Sequence, residues 1–392
     1  MARTEDGDGS APPGTFDVVR LVEDLLAGAV AHRASDVHFE PTADGLLVRY
    51  RLDGTLQTVE QLPRALAENV ISRLKVLGGL LTYRVDIPQE GRIDRRPDAP
   101  GRVLDQRLAV FPTLHGQRAV VRIFYDDPEL SRLDRLGLPA AILDDLRGCA
   151  AGHQGVLLLT GPAGSGKSTT LAALLRHVRD RFPGKSIVAL EDPIERHIEG
   201  VTQVQIPPHG AMTFPVALRS LLRQDPEVLM IGEIRDAETA RIAVEAGLTG
   251  HLLLSTLHSG ACAGALLRLL EMGVEPYQVT SAVRAVVNQR LVRRLCEQCK
   301  RPAGDGRFEA PGCDECFGTG FRGRTLVAEM VRLDGEIRRA ILAKADLDTL
   351  AAILSARGHM SLRQAGRRLV ADGITTGEEL DRVCGCDEQE VD

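Results

Sequence analysis

The stretch GVLLLTGPAGSGKSTTLAALLRHVRDRF, residues 155–182, decides how the rest of the chain is read. Its apolar run 156–159 predicts a buried strand. A glycine-rich loop follows and matches G-x-x-x-x-G-K-[ST] at Gly161, Gly166, Lys167 and Ser168. Pro162, Ala163, Gly164 and Ser165 fill the loop, and Thr169 follows it. Glycines in such a loop let backbone N–H groups turn inward around phosphate oxygens. Lys167 places a cation on the β- and γ-phosphates, and the Ser168 hydroxyl can ligate Mg²⁺. The helix that follows points its positive end at the anion. Short glycine motifs also arise by chance, but this one sits between a strand and a long amphipathic helix, as nucleotide binding requires.

Strand and helix patterns alternate from about residue 138. SIVALED (186–192), EVLMIGE (227–233) and HLLLSTLH (251–258) predict further strands. DAETARIAVEAG (236–247) predicts a helix closed by Gly247. Continuous apolar strands between helices imply an α/β fold with a parallel sheet covered on both faces. Ligands of such sheets lie beyond the carboxyl ends of the strands. There Glu191, Glu233 and His258 stand at three strand ends, and the two carboxylates are expected to converge on the phosphates. An acid is what a phosphate loop needs to orient Mg²⁺ and the attacking water.

The chain has 392 residues, too many for one core. Residues 1–14 are Gly/Pro/Asp/Ser-rich and read as disordered. Residues 15–125 mix two helix patterns with alternating strands and form a small α+β domain. Residues 126–137 read as a linker, and 331–392 as mostly helical, with Thr376 and Glu379 as a capping box. Hydrophobic residues make up 44%, charged residues 26% and aromatics 3%, with no tryptophan, so the cores are built from Leu, Val, Ile and Ala. The net charge of −6 speaks against a broad basic field for nucleic acid. The basic run QRLVRRLCEQCKR reads as a solvated helix face. No apolar run approaches the ~18 residues of a membrane span. The acidic start does not read as a signal peptide. A cytoplasmic chain is expected, with its thiols reduced.

Four of the eight cysteines fall in two CxxC pairs, Cys296 with Cys299 and Cys313 with Cys316, with thirteen residues between the pairs. That pattern favours a closed Cys₄ zinc site with a structural role over disulfides or a redox pair. Lys300 and Arg301 stand beside it to offset the thiolate charge. Cys149 and Cys262 read as buried or free thiols, and Cys384 and Cys386 have no assignment.

Taken in order, GPAGSGKST, ALEDPIE, LLRQDPEVLMIGEIRD and TGHLLLSTLH resemble the motifs of the ATPases of type II secretion and type IV pilus assembly. ASDVHFEP, VRYRLDG, PQEGRI and FPTLHGQRAVVRI precede them, and NQRLVRRLC and TGFRGRTLVAEM follow, so the resemblance covers about residues 16–385. It implies a RecA-like P-loop core (138–290), a PAS-like N-terminal domain, a zinc subdomain (291–330) and a helical C-terminal subdomain. It implies Glu233 as the catalytic carboxylate, with Glu191 supporting Mg²⁺ and water. His251 and His258 would sense the γ-phosphate or link nucleotide state to neighbouring elements. Arg107 and Arg122 would reach the phosphates from the N-terminal domain. It further implies a homo-hexamer that works on an inner-membrane platform protein, peripheral to that membrane, with ATP, Mg²⁺ and Zn²⁺ bound. Extension of a pilus or pseudopilus is the expected work. Retraction, or a nucleotide-dependent scaffold with little hydrolysis, are the alternatives. Three departures stand out: Ala163 where Thr is usual, HSGAC after the histidine box, and about 15 residues before the first helix where members often carry a further docking domain. The last leaves docking to another surface or to a membrane-anchored subunit.

Overall fold

A computed structural model describes residues 17–94, 103–207, 210–304 and 306–385. The stretch 1–14, expected to be disordered, and Cys386 lie outside the described residues. The chain divides into two compact units, Met1–Asp127 and Pro128–Asp392.

The first unit runs α1 (Val18–Ala31), β1 (Asp36–Pro41), β2 (Gly45–Leu52), β3 (Thr55–Pro63), α2 (Arg64–Leu77), β4 (Gln89–Arg92), β5 (Val103–Thr113) and β6 (Gly116–Tyr125). Its six strands form one antiparallel sheet in the order β3-β2-β1-β6-β5-β4. Period-two alternation decides the faces. Val37, Phe39, Val48, Tyr50, Leu108, Val110 and Val121 join one core with Val22, Leu26 and Ala29 of α1 and Val70 and Leu74 of α2. The intervening residues, among them Asp36, His38, Glu40, Arg49, Arg118 and Arg122, exchange ion pairs and hydrogen bonds with one another. Arg64–Leu77 stops at Gly78, and the turn is completed by Gly79 with φ +66°. Strand β3 is absent from the sequence reading, because its outer-edge position leaves the pattern of TLQTVEQLP only weakly alternating.

The second unit opens with two 3₁₀ turns, Glu129–Ser131 and Leu133–Arg135. Residues 126–137 had read as a linker, yet Leu133 and Leu136 are buried in the core of this unit. Then come α3 (Ala140–Ala150), β7 (Gly155–Thr160), α4 (Lys167–Arg181), β8 (Ile187–Glu191), β9 (Thr202–Gln205), α5 (Phe214–Leu221), β10 (Val228–Ile231), α6 (Ala237–Leu248) and β11 (Leu252–Leu257). They are followed by α7 (Cys262–Glu271), α8 (Pro276–Ala282), β12 (Val283–Leu295), β13 (Arg301–Gly304), β14 (Arg307–Glu309) and β15 (Phe321–Arg332). The unit ends with α9 (Gly335–Leu342), α10 (Leu347–Ala356), α11 (Leu362–Ala371) and α12 (Gly377–Cys384).

Seven strands form the sheet β15-β12-β7-β11-β10-β8-β9, parallel except for β15. Alternate residues of β7 serve opposite layers. Val156 and Leu158 pack with α6, α7 and α8, while Leu157 and Leu159 pack with α3 and α4. Burying each such leucine favours folding by about 1.5–3 kcal/mol. Burial on both faces is why these strands read as unbroken apolar runs.

Three sequence expectations change here. Gly247 does not close α6. It lies within the helix, where an added Cβ would sit 2.5 Å from Val156 Cγ2. The glycine lets α6 press onto β7, and the turn is made by Gly250 at φ +99°. The basic run at 289–295 is part of strand β12 and not a helix face. Its Arg293 pairs with buried Glu379 and stacks on Phe321. That pairing also halves the capping box. Thr376 accepts from the Glu379 N–H, but the Glu379 carboxylate turns to Arg293 and Arg382. Held by those guanidiniums against the opposing effect of burial, its carboxyl falls to about 2.

Candidate active site

Strand β7 delivers the phosphate loop at the carboxyl edge of the sheet. The loop turns through glycines at positive φ: Gly161 at +140°, Gly164 at +74° and Gly166 at +89°. Gly161 is also hemmed in, because an added Cβ would lie 2.5 Å from the Gln289 carbonyl and 3.2 Å from Arg290 Nη1. Helix α4 starts at Gly166 with no side-chain cap, so its first N–H groups stay available to an anion. Gln289 donates to the Ser165 carbonyl at 2.9 Å and braces the loop from β12. Lys167 is 9% exposed and donates to the Gly161 and Pro162 carbonyls at 2.8 and 2.9 Å. Burial pulls its ammonium below the ordinary lysine range, opposed by the charge of Glu233 and assisted by that of Arg290. Ser168 is exposed. The buried Ser165 and Thr170 hydroxyls have no hydrogen-bond partner among the described residues.

Glu233 follows β10, two strands from β7. Its side chain is 21% exposed and held from both sides. His258 Nε2 lies 2.8 Å from Oε1, and Arg235 Nε lies 2.9 Å from Oε2. Its charge reaches Lys167. Glu191 ends β8, one strand further out, and its Oε1 accepts from Gln203 of β9 at 2.8 Å. Burial lifts the Glu191 carboxyl above the usual range, with the Gln203 bond opposing.

His251 does not join this group. Its carbonyl accepts from the Gly155 N–H at 3.0 Å, and its Nδ1 lies 3.1 Å from the Ala246 carbonyl. Gly155 begins β7, whereas Thr160, paired with Leu257, ends it. His251 and His258 therefore cap opposite ends of β11, about 23 Å apart at 3.3 Å per residue. His251 was expected to sense the γ-phosphate or to link nucleotide state to neighbouring elements; it lies at the amino end of β11, whereas the phosphate loop follows the carboxyl end of β7.

In the first unit Arg107 and Arg122 are direct cross-strand partners on β5 and β6. Such partners project from one face of a sheet. Arg107 bonds Asp105 and lies over Phe124, Arg122 bonds Asp36, and their side chains are 44% and 65% exposed.

Strands β12 and β15 form an antiparallel pair whose connection carries the cysteines. The four sulfurs lie within 4.8 Å of one another. Three edges measure 3.8 Å for Cys296–Cys313, 3.9 Å for Cys299–Cys316 and 3.7 Å for Cys313–Cys316. A regular tetrahedron around zinc, with Zn–S bonds of about 2.3 Å, has edges of about 3.8 Å. Cys316 Sγ also accepts from the Cys313 and Gly320 N–H groups at 3.2 and 3.3 Å, as a metal-bound thiolate would. The donor set thus fits a tetrahedral metal with no open position. Arg301, expected to offset thiolate charge, is committed to Glu309 at 2.8 Å, while Lys300 lies over Phe308. Cys262 is buried, and Cys149 and Cys384 are half-buried.

Sequence reasoning missed Gln289, which braces the phosphate loop, and Arg290, which flanks Gly161. The only signal was that NQRLVRRLC formed part of the family resemblance.

Residues 14–382 match the family model for the type II/IV secretion system protein. The chain is 43% identical over 366 residues to the type II secretion system protein HxcR of Pseudomonas aeruginosa, covering 93% of this chain and 77% of that protein. It is 38% identical over 379 residues to the type IV pilus assembly ATPase PilB of Thermus thermophilus, covering 92% and 42%. Among solved structures, the ATPase DotB of Legionella pneumophila aligns with a TM-score of 0.71 at 22% identity, covering 95% and 97%. The pilus retraction motor PilT with bound ADP gives 0.62 at 22% identity, covering 94% and 97%. These two likenesses concern the fold, a P-loop core on a mixed α/β architecture. With the family match running through both units, the chain belongs to the type II/IV secretion ATPase family.

Proposed function

We propose that this chain hydrolyses ATP to drive extension of a type IV pilus or a type II secretion pseudopilus. The observation that carries the reading is Glu233, held between His258 and Arg235 at the strand edge that also bears Lys167. In this reading Lys167 and the N–H groups of the loop hold the β- and γ-phosphates, with Pro162, Ala163, Gly164, Ser165 and Thr169 shaping the cradle. Ser168 and Glu191 would hold Mg²⁺, which would supply charge neutralisation at the phosphates. Glu233 orients the attacking water and accepts its proton, and His258 fixes the carboxylate that does so. The exposed guanidiniums of Arg107 and Arg122 suit a role in which they meet developing phosphate charge when the units close. ATP turnover would then become motion of one unit against the other.

Several features of this proposal come from the family rather than from the site. They are a homo-hexamer, an inner-membrane platform protein as the driven partner and a membrane-anchored docking subunit. Among the described residues no helix is long and apolar enough to cross a membrane, so membrane association would run through those partners. Extension is favoured over retraction because relatives near 40% identity carry secretion and pilus-assembly names, whereas the retraction motor matches in fold alone. The cysteine tetrahedron would hold one structural Zn²⁺ per chain, ordering a connection poor in apolar residues.

Mg²⁺-dependent phosphate release by the purified chain, with lipid or platform protein supplied, tests the reading. Turnover that vanishes with EDTA is the expected result. No release under any of these conditions would leave only the nucleotide-dependent scaffold.

A further inference from the structure

Residues 258–261 link β11 to α7 and carry His258 at their start. Side chains from three other strands hold this loop by its main chain. Thr160 Oγ1 of β7 donates to the Ser259 carbonyl at 3.1 Å. Asn288 Nδ2 and Arg290 Nη2, both of β12, donate to the Gly260 carbonyl at 2.9 and 3.0 Å. At its far end the Cys262 N–H donates to Glu329 Oε1 of β15 at 3.3 Å.

Glu329 organises this set. It is 8% exposed and accepts three N–H groups from three elements: Cys262 at the start of α7, Asn288 Nδ2 at 3.0 Å, and Leu362 at the start of α11 at 2.8 Å. Asn288 is 1% exposed. A carboxylate only accepts, so it turns the Asn288 NH₂ toward itself and leaves Oδ1 to accept from Arg290 Nη1 at 3.0 Å. Arg290 is the same guanidinium that flanks Gly161. His359 Nε2 lies 4.0 Å from Glu329 Oε2 and completes its polar surroundings.

We propose that Glu329 and Asn288 are positioning residues of the hydrolytic site. They hold the loop that aims His258 at Glu233, and they tie that loop to the docking of α11. This rests on the reading of Glu233 and His258 given above. A catalytic role for Glu329 itself does not fit, because its two oxygens are occupied by main-chain and amide donors. Its function is to make the histidine loop and the C-terminal helices share one anchor, so that loosening either loosens the other.

Glu329→Gln is the sharpest test. A glutamine has one acceptor oxygen for three donors, and its NH₂ would face an N–H. Asn288→Ala is the second variant, should the first fold poorly. In the full-length chain kcat is expected to fall about ten- to a hundredfold, as misplaced catalytic groups do. The Kd of a fluorescent ATP analogue should stay within about twofold. In a His258→Ala background the same substitution should cost nothing further. By hydrogen exchange, amides 258–262 and 362–365 should lose protection together. Wild-type kcat, an undiminished effect in the His258→Ala background, or exchange that rises in only one of the two segments would overturn the proposal. A wild type without turnover would defeat the active-site reading instead, and the exchange experiment would still decide this one.

Discussion

The two ends of β11 carry the same residue and have different surroundings. His258 leaves the carboxyl end, meets Glu233 at 2.8 Å and begins a loop pinned by three neighbouring strands. His251 enters at the amino end, where its carbonyl accepts from the main-chain N–H of Gly155 at the start of β7 and its ring meets the Ala246 carbonyl of α6. In the sequence they are seven positions apart and read as one histidine box. In the sheet they face opposite edges, and only one edge holds phosphate-loop residues. Membership of a motif therefore does not place a residue at the chemistry. Strand polarity does.

The largest effect expected from breaking this contrast is at Lys167. Lys167→Ala removes the cation from the phosphate loop and should lower ATP turnover by about a thousandfold or more, with weakened nucleotide binding. His258→Ala should cost about ten- to a hundredfold in kcat with KM little changed, because it orients Glu233 rather than binding phosphate. The cysteine block sharpens the comparison, since it follows β12 at the carboxyl edge yet is read as structural. The Cys296→Ser/Cys299→Ser double variant should drop from about one zinc per chain to under a tenth by elemental analysis, while the nucleotide Kd stays within about twofold. Zinc retained at full stoichiometry would remove the metal site. The smallest effect belongs to His251→Ala, whose kcat in the isolated chain should stay within about twofold of wild type. A loss matching that of His258→Ala would erase the distinction between the two edges.

Much of this was legible from residues alone, for physical reasons. The strand, the glycine loop and the helix of 155–182 each carry a local signal, and backbone conformation at Gly161, Gly164 and Gly166 follows from the lack of a Cβ. The cysteine pairs were equally readable, because CxxC spacing already places two sulfurs together. Long-range partners were less so. Nothing local to Asn288, Arg290 or Glu329 announces that β12 and β15 flank the phosphate loop, since strand order is decided by packing across the sheet. The basic run 289–295 misled for a related reason. Its Arg293 is satisfied by Glu379 and Phe321, one far along the chain and one on the neighbouring strand. Gly247 was read by a rule for helix ends, whereas Val156, against which it packs, lies on β7, with two helices and three strands between it and α6.

The central claim is that Glu233 does the chemistry at an edge where Lys167 holds the phosphates. Its most direct test is Glu233→Gln, measured for ATP hydrolysis and for nucleotide affinity on the same preparation. The expected result is turnover lowered by about a hundred- to ten-thousandfold, as for loss of a general base, with affinity within about threefold of wild type. Turnover equal to wild type would contradict the account.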